Sequence, residues 1–268
     1  MADNPVNRYT DVDRHLDIEA AATWLDNTAE WPFFLELKAV CRKLLNATPG
    51  AIVVDVGCGT GADHRKLAHS LETEGLLVGF DRSEKLLRHA LRCSRSTNFD
   101  AKYIKGNLLK LPFRAETVDG VRADRVLQYI NHPDMAVKEM RRVLKPGKRL
   151  VISDPDQESL MINHPNQILF QKIKRIRRDI MRQNGAGAHK LSRVLQGCGF
   201  SSPEIDARVL LLRKLDIAFD AVTWGDRAYK FGQISLTDRD EWVEGLRALD
   251  AVGNFVFAIT YFTVAGTK

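Results

Sequence analysis

Cysteine is scarce in this 268-residue chain: Cys41, Cys58, Cys93 and Cys198 are the only four, and no CxxC pair occurs among them. That spacing suggests free thiols in a reducing compartment rather than a disulfide frame or a zinc site. No run of about 18 or more uninterrupted apolar residues is present, so no membrane span is expected. The first residues carry Asp3, Asp11, Asp13 and Asp17 rather than the basic start of a secretory leader. Internal repeats and low-complexity tracts are absent. A strong charge of either sign is lacking too. The formal balance of +6 is small for this length and does not by itself indicate a nucleic-acid partner. The apolar fraction of 44% is ordinary, so a sizeable core is attainable without staples. These absences imply a soluble, cytoplasmic chain, long enough for one large domain or a domain with an inserted cap.

What is present centres on Ala51-Ile52-Val53-Val54-Asp55-Val56-Gly57-Cys58-Gly59-Thr60-Gly61-Ala62-Asp63. A short apolar run closed by glycines reads as a buried strand feeding a tight turn. Leu67, Ala68 and Leu71 then share one helix face. Strand, glycine turn and helix open a nucleotide-binding α/β unit. Glycines let the backbone approach a ligand where a Cβ would clash, and amides at the helix start meet its polar groups. The motif does not name the ligand. Gly57-x-Gly59-x-x-Ala62, with Asp81 about 20 residues on, also fits the dinucleotide fingerprint.

Helices are expected over 15–25 and 32–45, ahead of the first strand. Further strands are expected at 76–81, 101–106, 117–123, 148–154, 205–212 and 255–264. Helices follow Ser83 and span 134–143, 189–196 and 238–249. Strands alternating with helices at this spacing mean a parallel sheet covered on both faces. Between Pro155 and Asn184, Lys172, Lys174, Arg175, Arg177, Arg178 and Arg182 interleave with Ile168, Phe170, Ile173, Ile176 and Ile180. This is an amphipathic helix with a basic side, read as a solvated face or as a cap helix steering an acidic substrate or nucleic acid.

Between Ile52 and Asp156 the chain resembles the class I S-adenosylmethionine-dependent methyltransferases, most closely the small-molecule group called type 11 or UbiE-like. The residues that carry the resemblance are the glycine turn, Gly106-Asn107-Leu108-Leu109-Lys110-Leu111-Pro112-Phe113, Asp119 through Tyr129, and Glu139-Met140-Arg141-Arg142-Val143-Leu144-Lys145-Pro146-Gly147 before an apolar strand. It implies a Rossmann-like, seven-stranded, mostly parallel sheet with helices on both faces, plus N-terminal helices and a helical cap after strand 5. One domain would then cover 1–268. Residues 1–48 supply N-terminal helices, 49–154 the cofactor core, 155–188 and 214–236 the cap, and 189–213 with 237–268 the end of the sheet.

The resemblance also implies roles. Asp55 and the backbone of Gly57, Gly59 and Gly61 would hold the methionine part of S-adenosylmethionine. Asp81 would take both ribose hydroxyls, and Arg82 would flank the adenine. Asn107, where the family has Asp, would meet the adenine amino group beside the amide and apolar wall of Leu108. Ala123, Asp124 and Arg125 would close over the methionine end. For a base, the sequence offers Tyr129, where the family often has histidine, and His132 three residues on, with Asp154 and Asp156 after strand 5. His15 and His164 are surface candidates. No metal is called for. The expected reaction is methyl transfer to a small-molecule O, N or activated C acceptor, in a secondary-metabolite or quinone-like pathway, releasing S-adenosylhomocysteine. The rival readings are an RNA methyltransferase using the basic helix, a methyltransferase fold that binds cofactor without methylating, and a dehydrogenase. The partner is a small molecule, with a homo-oligomer left open.

Overall fold

The computed structural model of the protein describes residues 13, 17–71, 74–96, 101–181 and 187–268. The expected loose tail over 1–7, His15, Arg182 and the glycine break at 185–186 lie outside them.

Two helices precede the sheet. α1 (Ile18–Ala29) starts where Asp17 Oδ1 accepts from the amides of Glu19 and Ala20, satisfying donors that a first turn leaves open. α2 (Pro32–Leu45) opens on proline and stops at left-handed Asn46. It buries Phe34, Leu37, Cys41 and Leu45.

Seven strands follow: β1 (Ile52–Val56), β2 (Leu76–Asp81), β3 (Ala101–Lys105), β4 (Val118–Asp124), β5 (Leu144–Ile162), β6 (Ser201–Leu212) and β7 (Phe257–Thr267). Their order across the sheet is β3-β2-β1-β4-β5-β7-β6. The first five are parallel, and β7 runs antiparallel to both β5 and β6. This is the Rossmann-like seven-stranded, mostly parallel sheet expected. β1 is buried on both faces, which its unbroken apolar run requires.

Alternate residues of β1 serve different layers. Val53 packs with Cys41 and Leu45 of α2 and with Leu67 and Leu71 of α3 (His64–Leu71). Val54 and Val56 face the opposite core. There α5 (Pro133–Val143) contributes Ala136, Val137 and Met140, and α7 (Leu191–Gly197) contributes Leu191 and Leu195. α4 (Glu84–Ser96) lies between β2 and β3 in sequence and packs on both.

A third core sits over the outer ends of β5 and β7. It joins α6 (Gln167–Ile176), α8 (Ala221–Lys230) and α9 (Leu236–Ala251) through Phe170, Ile173, Trp224, Trp242 and Leu246. Trp224 Nε1 donates to the Phe219 carbonyl at 3.0 Å, and Trp242 Nε1 to the Ala221 carbonyl at 2.9 Å. Aromatic bodies in a core with satisfied N–H tips are costly to remove. Trp224→Leu should lower stability by about 3 kcal/mol, read as a reduced urea midpoint. A change below about 0.5 kcal/mol would mean that the helical layer is not tied to the sheet through this ring.

Of the boundaries that differ from the sequence reading, two bear on the site. β5 does not stop at Asp154 but continues to Ile162. Pro155 and Asp156 pair with Tyr261 and Thr260 of β7, so 155–162 belongs to the sheet rather than the cap. The basic helix ends in a π-helical turn, Arg177–Met181. Its charges are dispersed rather than gathered into one open face. Lys172 lies 3.6 Å from Asp238, Lys174 donates to the Glu158 carbonyl, Arg178 pairs with Glu158 and Asp179, and Arg177 turns inward.

Candidate active site

A cavity of about 450 Å³ runs along the carboxyl ends of the parallel strands. It is centred between β1 and β4, where the strand order reverses, the place at which open α/β sheets take ligands. Over β2 and β3 it is lined by Asp81, Arg82, Leu86, Asn107 and Leu108. Over β1 and β4 come the glycine turn, Lys38, Asp55, Asp63, Arg122, Asp124 and Arg125. Beyond β5 the wall becomes aromatic, with Trp24, Tyr129, Phe219, Phe257 and Tyr261 beside Gln157 and Arg177.

The glycine turn is held in a conformation that side chains resist. Gly57, Gly59 and Gly61 have φ of +70°, +55° and +66°. A Cβ on Gly57 would lie 2.3 Å from Val126 Cγ2, whereas one on Gly59 would meet nothing nearer than Leu25 at 3.9 Å. Gly57 is therefore fixed by packing, and Gly59 leaves room on the cavity side. Asp81 braces the turn: Oδ2 accepts from Gly59 N at 2.9 Å and Oδ1 from Ser83 N at 2.8 Å. Burial pushes the Asp81 carboxyl up, only partly offset by these amides.

Behind the turn lies a buried ionic cluster. Arg122 Nε donates to Asp55 Oδ1 at 3.0 Å and Nη2 to Asp55 Oδ2 at 2.7 Å, while Nη1 reaches Asp63. Arg42 Nη1 donates to Asp63 Oδ1 at 2.6 Å. His64 bridges Asp55, 2.9 Å from Nε2, and the Tyr103 hydroxyl, 3.1 Å from Nδ1. Burial alone would raise both carboxyls, but Arg122, joined by the His64 hydrogen bond at Asp55 and by the charges of Lys38 and Arg42 at Asp63, outweighs it and holds both below the usual carboxylate range. Lys38, also buried on the wall, is pushed the other way: loss of water lowers its ammonium despite Asp124 nearby.

Most of the residues expected at a cofactor site line this cavity. Asp55, Gly57, Gly59, Asp81, Arg82, Asn107, Leu108, Asp124 and Arg125 are on the wall, and so is Tyr129, a base candidate. Gly61 and Ala123 are not. Gly61 faces His64 and Tyr103, and Ala123 is fully buried in the core. Asp55 does not stand ready for a ligand cation on its own, because Arg122 already neutralises it.

The base candidates fare differently. His132 is exposed at the start of α5 and off the wall, because the chain turns outward to begin that helix at Pro133. Asp154 points into the protein, where its Oδ2 accepts from Leu127 N at 3.0 Å. Burial and then the Asp124 charge push its carboxyl well above the usual range. Asp156 is buried and paired with His189 at 2.5 Å. His164, expected at the surface, is buried and stacks on Trp242 with ring centroids 4.7 Å apart.

Sequence reasoning missed Lys38, Asp63, Arg122, Gln128, Gln157 and Arg177 as site residues. Arg122 gave a signal. A guanidinium inside the buried strand Val121-Arg122-Ala123 needs a partner of opposite charge. Arg177 is buried, with its guanidinium carbon 3.9 Å above the Trp224 ring and its Nε donating to Gln157.

Two buried oxygens on the wall, Asp124 Oδ1 and Gln128 Oε1, make no hydrogen bond among the described residues, although Arg125 Nε stands 3.6 Å from the Asp124 oxygen as an ion pair. Buried acceptors without donors call for a ligand that brings its own N–H groups. An amino-acid ammonium meets that need beside the glycine turn, and the open side of Gly59 admits the rest of such a ligand. The residues present therefore fit S-adenosylmethionine.

Comparison with known proteins agrees. A family model described as "Methyltransferase domain" matches residues 47–195. An uncharacterised 37.1 kDa protein of a Streptomyces fradiae transposon is 31% identical over 246 residues, covering 90% of this chain and 70% of the relative. The 2-phytyl-1,4-naphtoquinone methyltransferase of Synechocystis is 33% identical over 119 residues, covering 44% of this chain and 50% of the relative. The chain thus spans only half the length of that relative. In fold, the phosphoethanolamine N-methyltransferase 2 of Haemonchus contortus, solved with S-adenosyl-L-methionine, superposes with a TM-score of 0.61 at 17% identity. That match covers 98% of this chain and 60% of the other.

Proposed function

The chain belongs to the class I S-adenosylmethionine-dependent methyltransferases, and from that premise we propose that it methylates a small, largely aromatic acceptor. The observation that carries this reading is the continuity of the cavity. The polar stretch around the glycine turn runs directly into the wall of Trp24, Phe219, Phe257 and Tyr261. Such a wall suits a planar apolar molecule, with the few polar groups setting its orientation. The naphthoquinone named for the Synechocystis relative is of this kind.

The cofactor supplies a methyl group made electrophilic by its sulfonium. The protein binds, aligns and keeps water away. Asp81, at the β2 end of the cavity, takes the ribose hydroxyls, and Asn107 with the Leu108 amide meets the adenine beside Arg82. Asp124 and Gln128 accept from the ammonium. Asp55 acts through Arg122 to hold the turn in place. Among the described residues no histidine lines the cavity, and the Tyr129 phenol is a poor base near neutral pH. This supports an acceptor that reaches its reactive form without an imidazole: a quinol or phenol of lowered pKa, a neutral amine, or a conjugated carbon.

Calorimetric titration with S-adenosylhomocysteine tests the cofactor half. Asp81→Ala removes the anchor of Gly59 and Ser83 together with the ribose contact. At about 1.5–3 kcal/mol for a hydrogen bond to a charged group, affinity should fall at least 100-fold. Equal affinity in both proteins would reject the assignment. A screen of phenols, quinols and amines with labelled cofactor tests the acceptor half. Methyl incorporation into RNA alone, with RNA binding that weakens steeply with salt, would overturn the small-molecule reading.

A further inference from the structure

Away from the cavity wall, Asp26 on α1 meets His89 and Cys93 on α4. His89 and Cys93 are four apart and so lie on one helix face, one turn from each other. His89 Nε2 is 2.8 Å from Asp26 Oδ2 and 3.4 Å from Cys93 Sγ. All three donor atoms lie within 4.8 Å of one another, and all three residues are half-buried.

Both contacts fall on the same ring nitrogen. A Cys–His–Asp relay uses one nitrogen towards the thiol and the other towards the carboxylate, so this arrangement cannot activate the thiol in that way. Nor can one nitrogen serve two partners well by hydrogen bonding. In the neutral ring Nε2 either donates its proton to Asp26 or offers its lone pair to Cys93. A single cation at the centre of the triangle satisfies all three atoms at once.

We propose that Asp26, His89 and Cys93 form a zinc-type divalent metal site that fastens α1 to α4. Bond lengths of about 2.0 Å to N and O and 2.3 Å to S in a tetrahedron give donor-to-donor edges of about 3.3–3.6 Å. The observed spacings bracket those edges, so modest side-chain rotation closes the site. The donor set of one N, one S and one carboxylate O suits a borderline-soft ion. Thiolate and carboxylate together carry two negative charges, which a divalent ion cancels. The half-exposed position leaves the fourth place to water and gives the ion a way in.

The clamp has a structural purpose. Among the described residues the buried apolar cluster between α1 and α4 is small: Ala22 and Leu86, with Ile18 and Leu25 beside it. Yet Trp24 and Leu25 of α1, and Leu86 of α4, form part of the cavity wall. A metal at Asp26–His89–Cys93 fixes that wall by its outer side.

The test uses the full chain, stripped with a chelator and titrated with Co²⁺ and then Zn²⁺. The expected result is one equivalent of Co²⁺ per chain with a thiolate-to-metal charge-transfer band, displaced by Zn²⁺, and a Tm that rises on adding Zn²⁺. Cys93→Ser should abolish the band and the rise in Tm, and His89→Ala should weaken Zn²⁺ binding at least tenfold. Cys198→Ser should change neither. Comparing the metal-free melts of each variant and the wild type separates loss of the site from loss of the fold. If Cys93→Ser does not fold, Asp26→Asn takes its place and should lower affinity. No thiolate band in the wild type, or a band that survives Cys93→Ser, overturns the proposal.

Discussion

Arg122→Met is expected to be severely unstable at neutral pH and to recover on acidification. Arg122 is 3% exposed and bonds two carboxylates that are themselves 3% exposed, Asp55 and Asp63. Methionine fills similar space but leaves both charges without their main partner. Breaking a buried ion pair from one side costs about 3–5 kcal/mol, a large share of a typical total of about 5–15 kcal/mol. Arg42 and His64 still touch the cluster and limit the loss.

The pH dependence separates this cause from simple loss of packing. In the wild type both carboxyls are held below their unfolded values, so their contribution is present above about pH 4 and is lost as pH falls towards the folded values. In Arg122→Met burial is opposed only by His64 at Asp55 and by Arg42 and Lys38 at Asp63, and the folded values rise instead. The variant then has its least penalty in acid and loses stability as pH rises through the ordinary carboxylate range. The gap between the urea midpoints of the two proteins should therefore be smaller at pH 4.5 than at pH 7.5. A deficit of the same size at both pH values would show that the cluster's charge is not what the arginine supplies.

That cluster also shows where a sequence stops being informative. The glycine turn was legible because its requirement is local: three positive φ angles and a strand on one side are written within ten residues. α2 was legible from Pro32 to Leu45 because proline, a 3.6-residue apolar period and Thr48-Pro49-Gly50 all agree. Arg122 meets Asp55 and Asp63 across 67 and 59 positions, and no period announces such a meeting. Only the charge in a buried strand hinted that a partner existed.

The end of β5 was hidden for another reason. Asp154-Pro155-Asp156-Gln157-Glu158 has the composition of a loop, yet Asp154, Pro155 and Asp156 pair with β7, and the strand passes through an irregularity before pairing resumes at Met161. Its buried polar groups find partners in Leu127 N, His189 and Arg177. Tertiary pairing overrode local preference there. The same pairing carried Asp154 away from the cavity and brought Gln157 and Arg177 to it. The cofactor end was thus readable from a motif, while the acceptor end is assembled from segments far apart in the chain.

Gly57→Ala should be the most damaging single-methyl change in the protein. Two costs combine. The left-handed backbone at φ +70° penalises a Cβ by about 1–2 kcal/mol. The new methyl would also sit 2.3 Å from Val126 Cγ2 and 3.1 Å from Cγ1, and such overpacking costs about 1–3 kcal/mol. The turn cannot easily swing aside, because Gly57 N donates to the Phe80 carbonyl at 2.7 Å. Val126→Ala removes the obstructing methyls, so the double variant should regain the packing part and keep the backbone part. A coupling of about 1–3 kcal/mol between the two sites is the expected signature in urea melts, and strict additivity would mean that the clash does not set the cost. Gly59→Ala provides the contrast. Its Cβ meets nothing within 3.9 Å, so stability should fall only by the backbone share. That methyl enters the cavity, however, and S-adenosylhomocysteine should bind at least tenfold more weakly. A Gly59→Ala protein that binds as well as the wild type would place the cofactor away from the glycine turn. Damage to stability at Gly57 and to binding at Gly59 would show that adjacent glycines in one motif answer to different demands, one to the core behind the turn and one to the ligand in front of it.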